Sequence, residues 1–292
     1  MVKASVVVPV YNGGELFLRC LRALFAQTLA RDQYEVIVVD DGSTDSSAAY
    51  AASFGATVIS QANAGAPAAR NAGIYAARGE WVAFTDADCV PSRRWLQALL
   101  QRAERDPRSI GAAGRLTGYE SNTAAARFVD LMSGLDAEVY LRHPVFPFAP
   151  SGNLMYRRDY LIAVGGFDAR YATYDACDLH TRLLARYDGS FEYEPAALVL
   201  HHHRASWKAY WRQQYFYGVG YAQFLIAHRD RVQWRMRHQL AAIGNVIRNA
   251  VLAVLPSGGD EKILRQGWFV RSAAQHAGFL RTYYNPLERL RW

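Results

Sequence analysis

Trp81-Val82-Ala83-Phe84-Thr85-Asp86-Ala87-Asp88 runs from four apolar residues straight into two carboxylates two positions apart. The apolar run reads as a short strand buried on both faces, and the acids fall at its carboxyl end. Two anions that close repel unless a cation or a donor-rich ligand lies between them. Hard divalent ions such as Mg2+ and Mn2+ take oxygen ligands and bridge to substrate phosphates. An Asp-x-Asp alone equally describes a solvated turn, so its surroundings decide.

Upstream, the same pattern recurs. Residues 6–10 form an apolar β-rich run ending in Tyr11-Asn12-Gly13-Gly14, after which Leu16, Leu18, Leu21, Leu24 and Phe25 follow at helical spacing. Residues 34–39 make a second buried-strand pattern, stopped by Asp40-Asp41-Gly42-Ser43, with Ser43 or Thr44 as cap of a helix through Tyr50. Residues 57–59 read as a third strand and 67–78 as a third helix, closed by Gly79. Such alternation predicts a parallel sheet covered on both faces. Ligands of these sheets gather beyond the carboxyl ends of the strands, where residues 11–14, 40–45 and 85–88 all fall. After His203 the pattern becomes mostly helical and rich in Trp, Tyr and Arg.

Composition narrows the classes. Among 292 residues, 51% are hydrophobic and 20% charged, ordinary globular usage that excludes wholesale disorder. Residues 1–181 hold 17 basic and 19 acidic side chains, whereas 182–292 hold 16 and 7, so the net charge of +7 belongs to the carboxyl-terminal part. Nearly all of it is arginine, which grips phosphate and carboxylate bidentately. The acids clustered at strand ends would repel a nucleic-acid backbone, and no nucleic-acid partner is expected. No Gly-x-Gly-x-x-Gly follows the first strand, which disfavours a Rossmann dehydrogenase, and no Walker loop occurs, which removes the P-loop enzymes. Cys20, Cys89 and Cys177 are widely spaced without a CxxC pair, as expected of thiols in a reducing compartment. The amino terminus lacks a signal-peptide layout, and the best long apolar window, 238–255, is broken by Arg248 with Asn245 and Asn249 inside it. These features predict a cytoplasmic protein, soluble or peripheral at the inner face of the membrane.

With those segments in view, the chain resembles an inverting nucleotide-sugar glycosyltransferase of family 2. The matching stretches are Ser5-Val6-Val7-Val8-Pro9-Val10-Tyr11-Asn12, Val38-Val39-Asp40-Asp41-Gly42-Ser43-Thr44-Asp45, Ala69-Arg70-Asn71-Ala72-Gly73 and Phe84-Thr85-Asp86-Ala87-Asp88. Ser151-Gly152-Asn153 with Arg157-Arg158, and Gly165-Gly166-Phe167-Asp168, continue the match. The resemblance implies the α/β GT-A fold, a Rossmann-like, mostly parallel mixed sheet flanked by helices, with a helical appendage. It divides the chain into a catalytic domain, 1–220, and a helical region, 221–292. Within the domain, 1–110 is the nucleotide-binding half and 111–220 the acceptor-binding half. It implies a UDP-sugar donor, with Pro9, Tyr11, Asn12 and Asp41 around the base, and Arg70, Asp86 and Asn153 near the rest of the donor. Asp88 is the matching metal ligand for Mn2+ or Mg2+. His201, at the end of a later strand-like run, is the family position for a histidine that completes such a site; a polar cluster without metal is the other reading of His201-His202-His203.

Inverting transfer needs one base for the acceptor hydroxyl. The family takes it from a Glu-Asp-x-Asp-Leu segment, but this chain reads Tyr174-Asp175-Ala176-Cys177-Asp178-Leu179. Ala176 has no titratable group, so Asp175 is the first candidate and Asp178 the second. The departure also keeps open a catalytically impaired relative that only binds nucleotide sugars. A sugar nucleotidyltransferase would need a Gly-rich triphosphate loop with Arg and Lys, and Tyr11-Asn12-Gly13-Gly14-Glu15 is not one. The aromatics of 207–221, among them Trp207, Tyr210 and Tyr221, suit either sugar stacking or helix packing. The basic carboxyl-terminal helices, with Trp234, Trp268, Phe269 and Tyr283, suit either an anionic membrane or a packed cap. Acceptors in view are a glycan, a lipid-linked sugar or a small molecule, and a homo-oligomer stays open.

Overall fold

Continuous valine makes residues 4–10 a strand, β1 (Ala4–Val10), buried along its whole length. The computed structural model describes residues 2–232 and 234–291. After β1 come α1 (Gly14–Phe25), β2 (Tyr34–Asp40), α2 (Ser47–Ser53), β3 (Thr57–Ser60), α3 (Ala66–Ala76) and β4 (Trp81–Phe84). Their strands pair in parallel in the order β3-β2-β1-β4. Alternation along β1 divides the core. Val6, Val8 and Val10 join Val36 and Val38 beneath Phe17, Leu21 and Leu24 of α1, while Val7 joins Ile37, Val39, Val82 and Phe84 beneath Ile74 of α3.

The third strand expected at 57–59 is β3. It lies at the sheet's edge, with Thr57 and Ser60 exposed and Val58 and Ile59 half-buried.

The second half of the sheet is mixed. β5 (Cys89–Pro91), α4 (Trp95–Ala103), β6 (Gly111–Gly118), α5 (Ala124–Leu131), α6 (Ala137–Leu141), β7 (Leu154–Arg157), α7 (Arg158–Ala163), α8 (Asp175–Arg186) and β8 (Phe191–His201) follow. β7 inserts between β4 and β6, antiparallel to both; β6 and β8 run parallel, and β5 closes the edge antiparallel to β8. The parallel pairing expected of the first half and the mixed sheet implied by the resemblance are both found, in a sheet of eight strands among the described residues. Local periodicity marks a strand but carries no direction for one that returns after a long excursion.

Topology also locates a crevice. The chain leaves β1 for β2 and β3 on one side, then comes back to β4 on the other. At such a switch point the loops after neighbouring strands separate and leave room for a ligand. The β1–β4 ladder ends at Val7 and Phe84, so Pro9, with no N–H to give, stands past it.

This sheet and its helices form one unit: residues up to Tyr119, 135–169 and 176–202. The second unit comprises residues 120–134, 170–175 and everything from His203 on. It is helical, with α5, α9 (Trp207–Ala227), α10 (Met236–Val254), α11 (Gly259–Tyr283) and α12 (Pro286–Arg291). α9 and α11 approach closely because Gly218 and Gly278 leave no side chain between the backbones. Gln275 donates to Gln214 at 2.7 Å across the same seam. Phe128 of α5 packs among Trp207, Tyr210 and Trp268, and Trp234 lies 4.5 Å from Phe279 in a cluster with Tyr221 and Tyr283. Among the described residues, no helix is long and apolar enough to cross a membrane.

Candidate active site

The loops after β1 and β2 are pinned to each other. Asn12 sits at φ 51°, a region Asn tolerates better than most residues. Its backbone N–H donates to Ser43 Oγ at 2.9 Å, and its Oδ1 accepts from the backbone N–H groups of Thr44 (2.8 Å) and Asp45 (3.3 Å). Gly13 N–H reaches Ser47 Oγ at 3.0 Å and Gly14 N–H reaches Asp45 Oδ2 at 3.1 Å. The Ser47 hydroxyl first, then the Ser47 and Gly14 N–H groups, hold the Asp45 carboxyl below the usual carboxylate range. These bonds recruit Ser43 and Thr44 away from capping, so the expected cap is corrected: α2 begins later, at Ser47. Pro9 is buried in β1, and Tyr11 leaves its ring 55% exposed at the loop.

Asp41 is 3% exposed and organises a third segment. Its carboxylate accepts from Gln61 Nε2 at 2.7 Å, Ala64 N–H at 2.9 Å and Gly65 N–H at 2.8 Å, and Asn63 Nδ2 donates to its backbone carbonyl at 3.0 Å. An ionised carboxylate has about four acceptor positions. Three are used here, two of them on Oδ1, so one on Oδ2 is left for a ligand N–H.

Beyond β4, Arg70 of α3 donates to Asp86 Oδ1 at 2.9 Å, with only 7% of its side chain exposed. Its guanidinium lies 5.5 Å from the centre of the Phe167 ring. That ring is seated by Asn71, whose Oδ1 accepts from Phe167 N–H at 2.8 Å and whose Nδ2 donates to the Phe167 carbonyl at 2.7 Å. Gly166, at φ 68°, leaves no room for a Cβ against Asn71 Oδ1. Asn71 and Phe167 were invisible as partners in the sequence. The signal for them was the pair of motifs that contain them, which meet only in the fold.

Asp88 meets a different partner. β5 and β8 pair with Cys89 opposite His201, and His201 Nε2 lies 3.5 Å from Asp88 Oδ1. Among the described residues, Asp88, Cys89 and His201 bring one donor atom each within 4.8 Å of one another. Burial foremost, then the Asp86 and Asp88 carboxylates, push the Cys89 thiol well above its ordinary range. The same burial, with Asp88 and Asp86, pushes Cys20 up. The Cys89 sulfur thus lies in the same cluster as Asp88 and His201, which supply an oxygen and a nitrogen donor. A carboxylate oxygen with an imidazole nitrogen fits a divalent ion, and suits Mn2+ better than Mg2+, which prefers oxygen alone.

The remaining candidates separate by their bonds. Asp178 Oδ2 accepts from Arg182 Nε at 2.7 Å, and Arg182 also donates to the carbonyls of Val164 (2.6 Å) and Gly166 (2.7 Å). Asp178 therefore anchors the loop that carries Phe167. Asp175, 9% exposed, is the first residue of α8, and Tyr174 before it stands at φ 70°. An aromatic residue there costs about 1–3 kcal/mol, a strain that clusters at functional positions. Asn153 is 1% exposed; its Oδ1 accepts from Trp95 Nε1 at 2.7 Å and its Nδ2 donates to the carbonyls of Arg115 and Ala197, each at 2.8 Å. Its amide holds α4, β6 and β8 together.

The family profile described as "Glycosyl transferase family 2" matches residues 5–165, which contain the β1, β2, α3 and β4 segments just described. The chain belongs to glycosyl transferase family 2. Its similarity to named family-type proteins extends further. A "Pre-mycofactocin glycosyltransferase" of Mycobacterium tuberculosis is 32% identical over 236 residues, covering 78% of this chain and 48% of that protein. "Glycosyltransferase AglE" of Haloferax volcanii is 33% identical over 177 residues, 56% of this chain and 55% of its own. The chain thus spans about half the length of these curated relatives. Among solved structures, a mannosyltransferase from Pyrobaculum calidifontis in complex with GDP-Man and Mn2+ superposes with a TM-score of 0.67 at 19% identity, covering 97% of this chain and 88% of that one. S. aureus TarS 1–349 in complex with UDP gives 0.55 at 16%, covering 97% and 93%. The shared architecture is the GT-A fold, with carboxyl-terminal helices after the mixed sheet.

Proposed function

We propose that this family 2 chain is an inverting glycosyltransferase that moves a sugar from a UDP-sugar to an acceptor hydroxyl with the help of Mn2+ or Mg2+. The observation that carries the reading is the division of labour between two neighbouring acids, Asp86 held by Arg70 and Asp88 beside His201. Asp41 keeps one acceptor position for the N–H of a uracil edge, next to Pro9 and the exposed Tyr11 ring. Asn12 acts one step back, by fixing that loop. Arg70 turns Asp86 toward the ribose or sugar hydroxyls. Asn153 supports the platform from beneath, through its three protein bonds. Asp88 and His201 would hold the divalent ion, which when bound supplies positive charge for the departing diphosphate. Asp175 takes the proton from the acceptor hydroxyl as the new bond to the anomeric carbon forms on one face and the bond to diphosphate breaks on the other, giving inversion. The three cysteines are buried and none is in a disulfide, which suits a reducing cytoplasmic setting.

The neighbours' ligands leave two nucleotides to compare, GDP-Man in one and UDP in the other. A thermal-shift panel of UDP- and GDP-sugars, with and without Mn2+, tests the donor directly, because stabilisation grows with ligand over its dissociation constant. The expected result is a Mn2+-dependent rise with UDP-sugars alone; a rise with GDP-sugars instead would reject the uridine part. Ala176 favours one second reading, a binder without turnover. Tight UDP-sugar binding with no release of UDP in the presence of Mn2+ would support it.

A further inference from the structure

α10 is built inside-out. Its buried positions are Gln239 and Asn249, and both are tied to α11: Asn249 Nδ2 donates to Ser272 Oγ at 3.1 Å, and Gln239 meets His276 Nε2 at 3.4 Å. On the other side Met236 (69% exposed), Leu240 (62%), Ile243 (38%), Ile247 (60%), Val251 (53%) and Val254 (81%) stand in water. At about 100° per residue, these six fall in one stripe roughly 80° wide. A helix that buries Gln239 and Asn249 and presents an aliphatic stripe, with Asn245 exposed on a different face, has one side with the polarity of a helix facing an apolar medium. Its 19 residues are not apolar enough to cross a membrane. The fitting geometry is a helix lying in an interface.

Charge identifies the occupant. Exposed Arg237 and Arg248 lie along one flank of the stripe, and exposed Arg229, Arg231 and Arg235 precede the helix; Asp230 is the only acid from 229 to 255. A second copy of the chain packed antiparallel, stripe to stripe, would bring the Arg237 and Arg248 flank of one helix against that of the other. An anionic lipid surface meets the stripe with acyl chains and the rims with phosphates. We propose that α10 rests in the headgroup region of an anionic bilayer, with its apolar stripe inserted and its arginines at the lipid phosphates. Of the aromatics that the sequence offers for this role, Trp234 and Tyr283 pack with Phe279 inside the helical unit, whereas Trp268 is 44% exposed. The proposal is independent of the donor-site reading.

Co-sedimentation tests it on the full chain, without nucleotide, using vesicles of phosphatidylcholine alone and of phosphatidylcholine mixed with phosphatidylglycerol. Wild type should pellet with the mixed vesicles and about tenfold less with phosphatidylcholine alone, and added salt should weaken binding. Leu240→Gln/Ile247→Gln/Val251→Gln changes only exposed positions and should lower partitioning about tenfold or more at an unchanged thermal melt. Arg237→Gln/Arg248→Gln, which leaves the apolar face intact, should lower it severalfold and flatten the salt dependence. Wild type that stays in the supernatant with mixed vesicles overturns the proposal, as does a triple variant that pellets like wild type. Light scattering supplies the remaining outcome. A wild-type dimer that becomes monomeric in the triple variant, with no vesicle binding, assigns the stripe to a second copy and also overturns it.

Discussion

At the scale of single residues, the site is decided by what each acid is bonded to. Asp86 and Asp178 both have arginine partners, at 2.9 and 2.7 Å, and each pairing does positional work. Asp175 follows a residue in the left-handed region and starts a helix. The Asp175→Asn variant should therefore lose at least ~10²-fold in kcat while still binding donor, the usual scale for a general base. Asp178→Asn should keep most of its turnover but melt earlier, by about 1–3 kcal/mol, because the Arg182 link to Val164 and Gly166 loosens. Steady-state kinetics on both variants checks this, and the reverse pattern would hand the proton to Asp178. For the metal, His201→Ala should shift the Mn2+ activation curve to higher concentration, and an unmoved curve would remove His201 from the ligand set. The sequence made these acids visible as candidates. It hid the ranking, since Arg182's bonds reach carbonyls in a loop sixteen or more positions away.

Among elements, the strands of the first half were legible because they are continuous apolar runs, a property of neighbouring residues. Their loops were not. Ser43 and Thr44 look like caps in the sequence, and they serve Asn12 instead because the β1 and β2 loops lie side by side at the sheet's end. That interlock makes a prediction about the loop as a unit. Asn12→Ala removes the acceptor for two N–H groups and places a Cβ without a local hydrogen bond at positive φ, a cost of about 1–2 kcal/mol. The expected effect is a severalfold weaker UDP affinity by calorimetry, with Asn12→Gly recovering part of it, since glycine adopts that φ freely. Equal affinities for wild type and Asn12→Ala would show that the loop holds its shape without this residue. The same reasoning explains β7: its neighbours in the sheet, β4 and β6, are set by tertiary return and not by its own four residues.

For the molecule as a whole, stability should carry a signature of one buried histidine. Burial holds the His180 imidazole down to about 4, with its Nδ1 hydrogen-bonded to the Tyr156 hydroxyl at 2.8 Å. An unfolded histidine binds its proton near 6.5. Between pH 6.5 and about 4 the unfolded chain holds more protons, so stability is full above that window and falls as pH drops through it, by roughly 3 kcal/mol in all. Urea denaturation across this range should show the slope, and His180→Gln should flatten it while lowering stability at neutral pH. A slope unchanged by the substitution would place its source elsewhere.

By itself the sequence determined what depends on short-range pattern: where apolar strands run, that acids sit at their carboxyl ends, and that helices follow His203. Period two and period 3.6 are written in neighbouring residues, and no folding is needed to read them. Tertiary structure alone decided the partners. Arg70 with Asp86, and Asn71 with Phe167, meet across the fold. The same holds for α10. The sequence shows there an apolar window broken by Arg248, Asn245 and Asn249, and only packing against α11 shows that Gln239 and Asn249 go inside while the aliphatic stripe faces out. The physical reason is that an amphipathic pattern fixes two faces, and the neighbouring helix chooses between them.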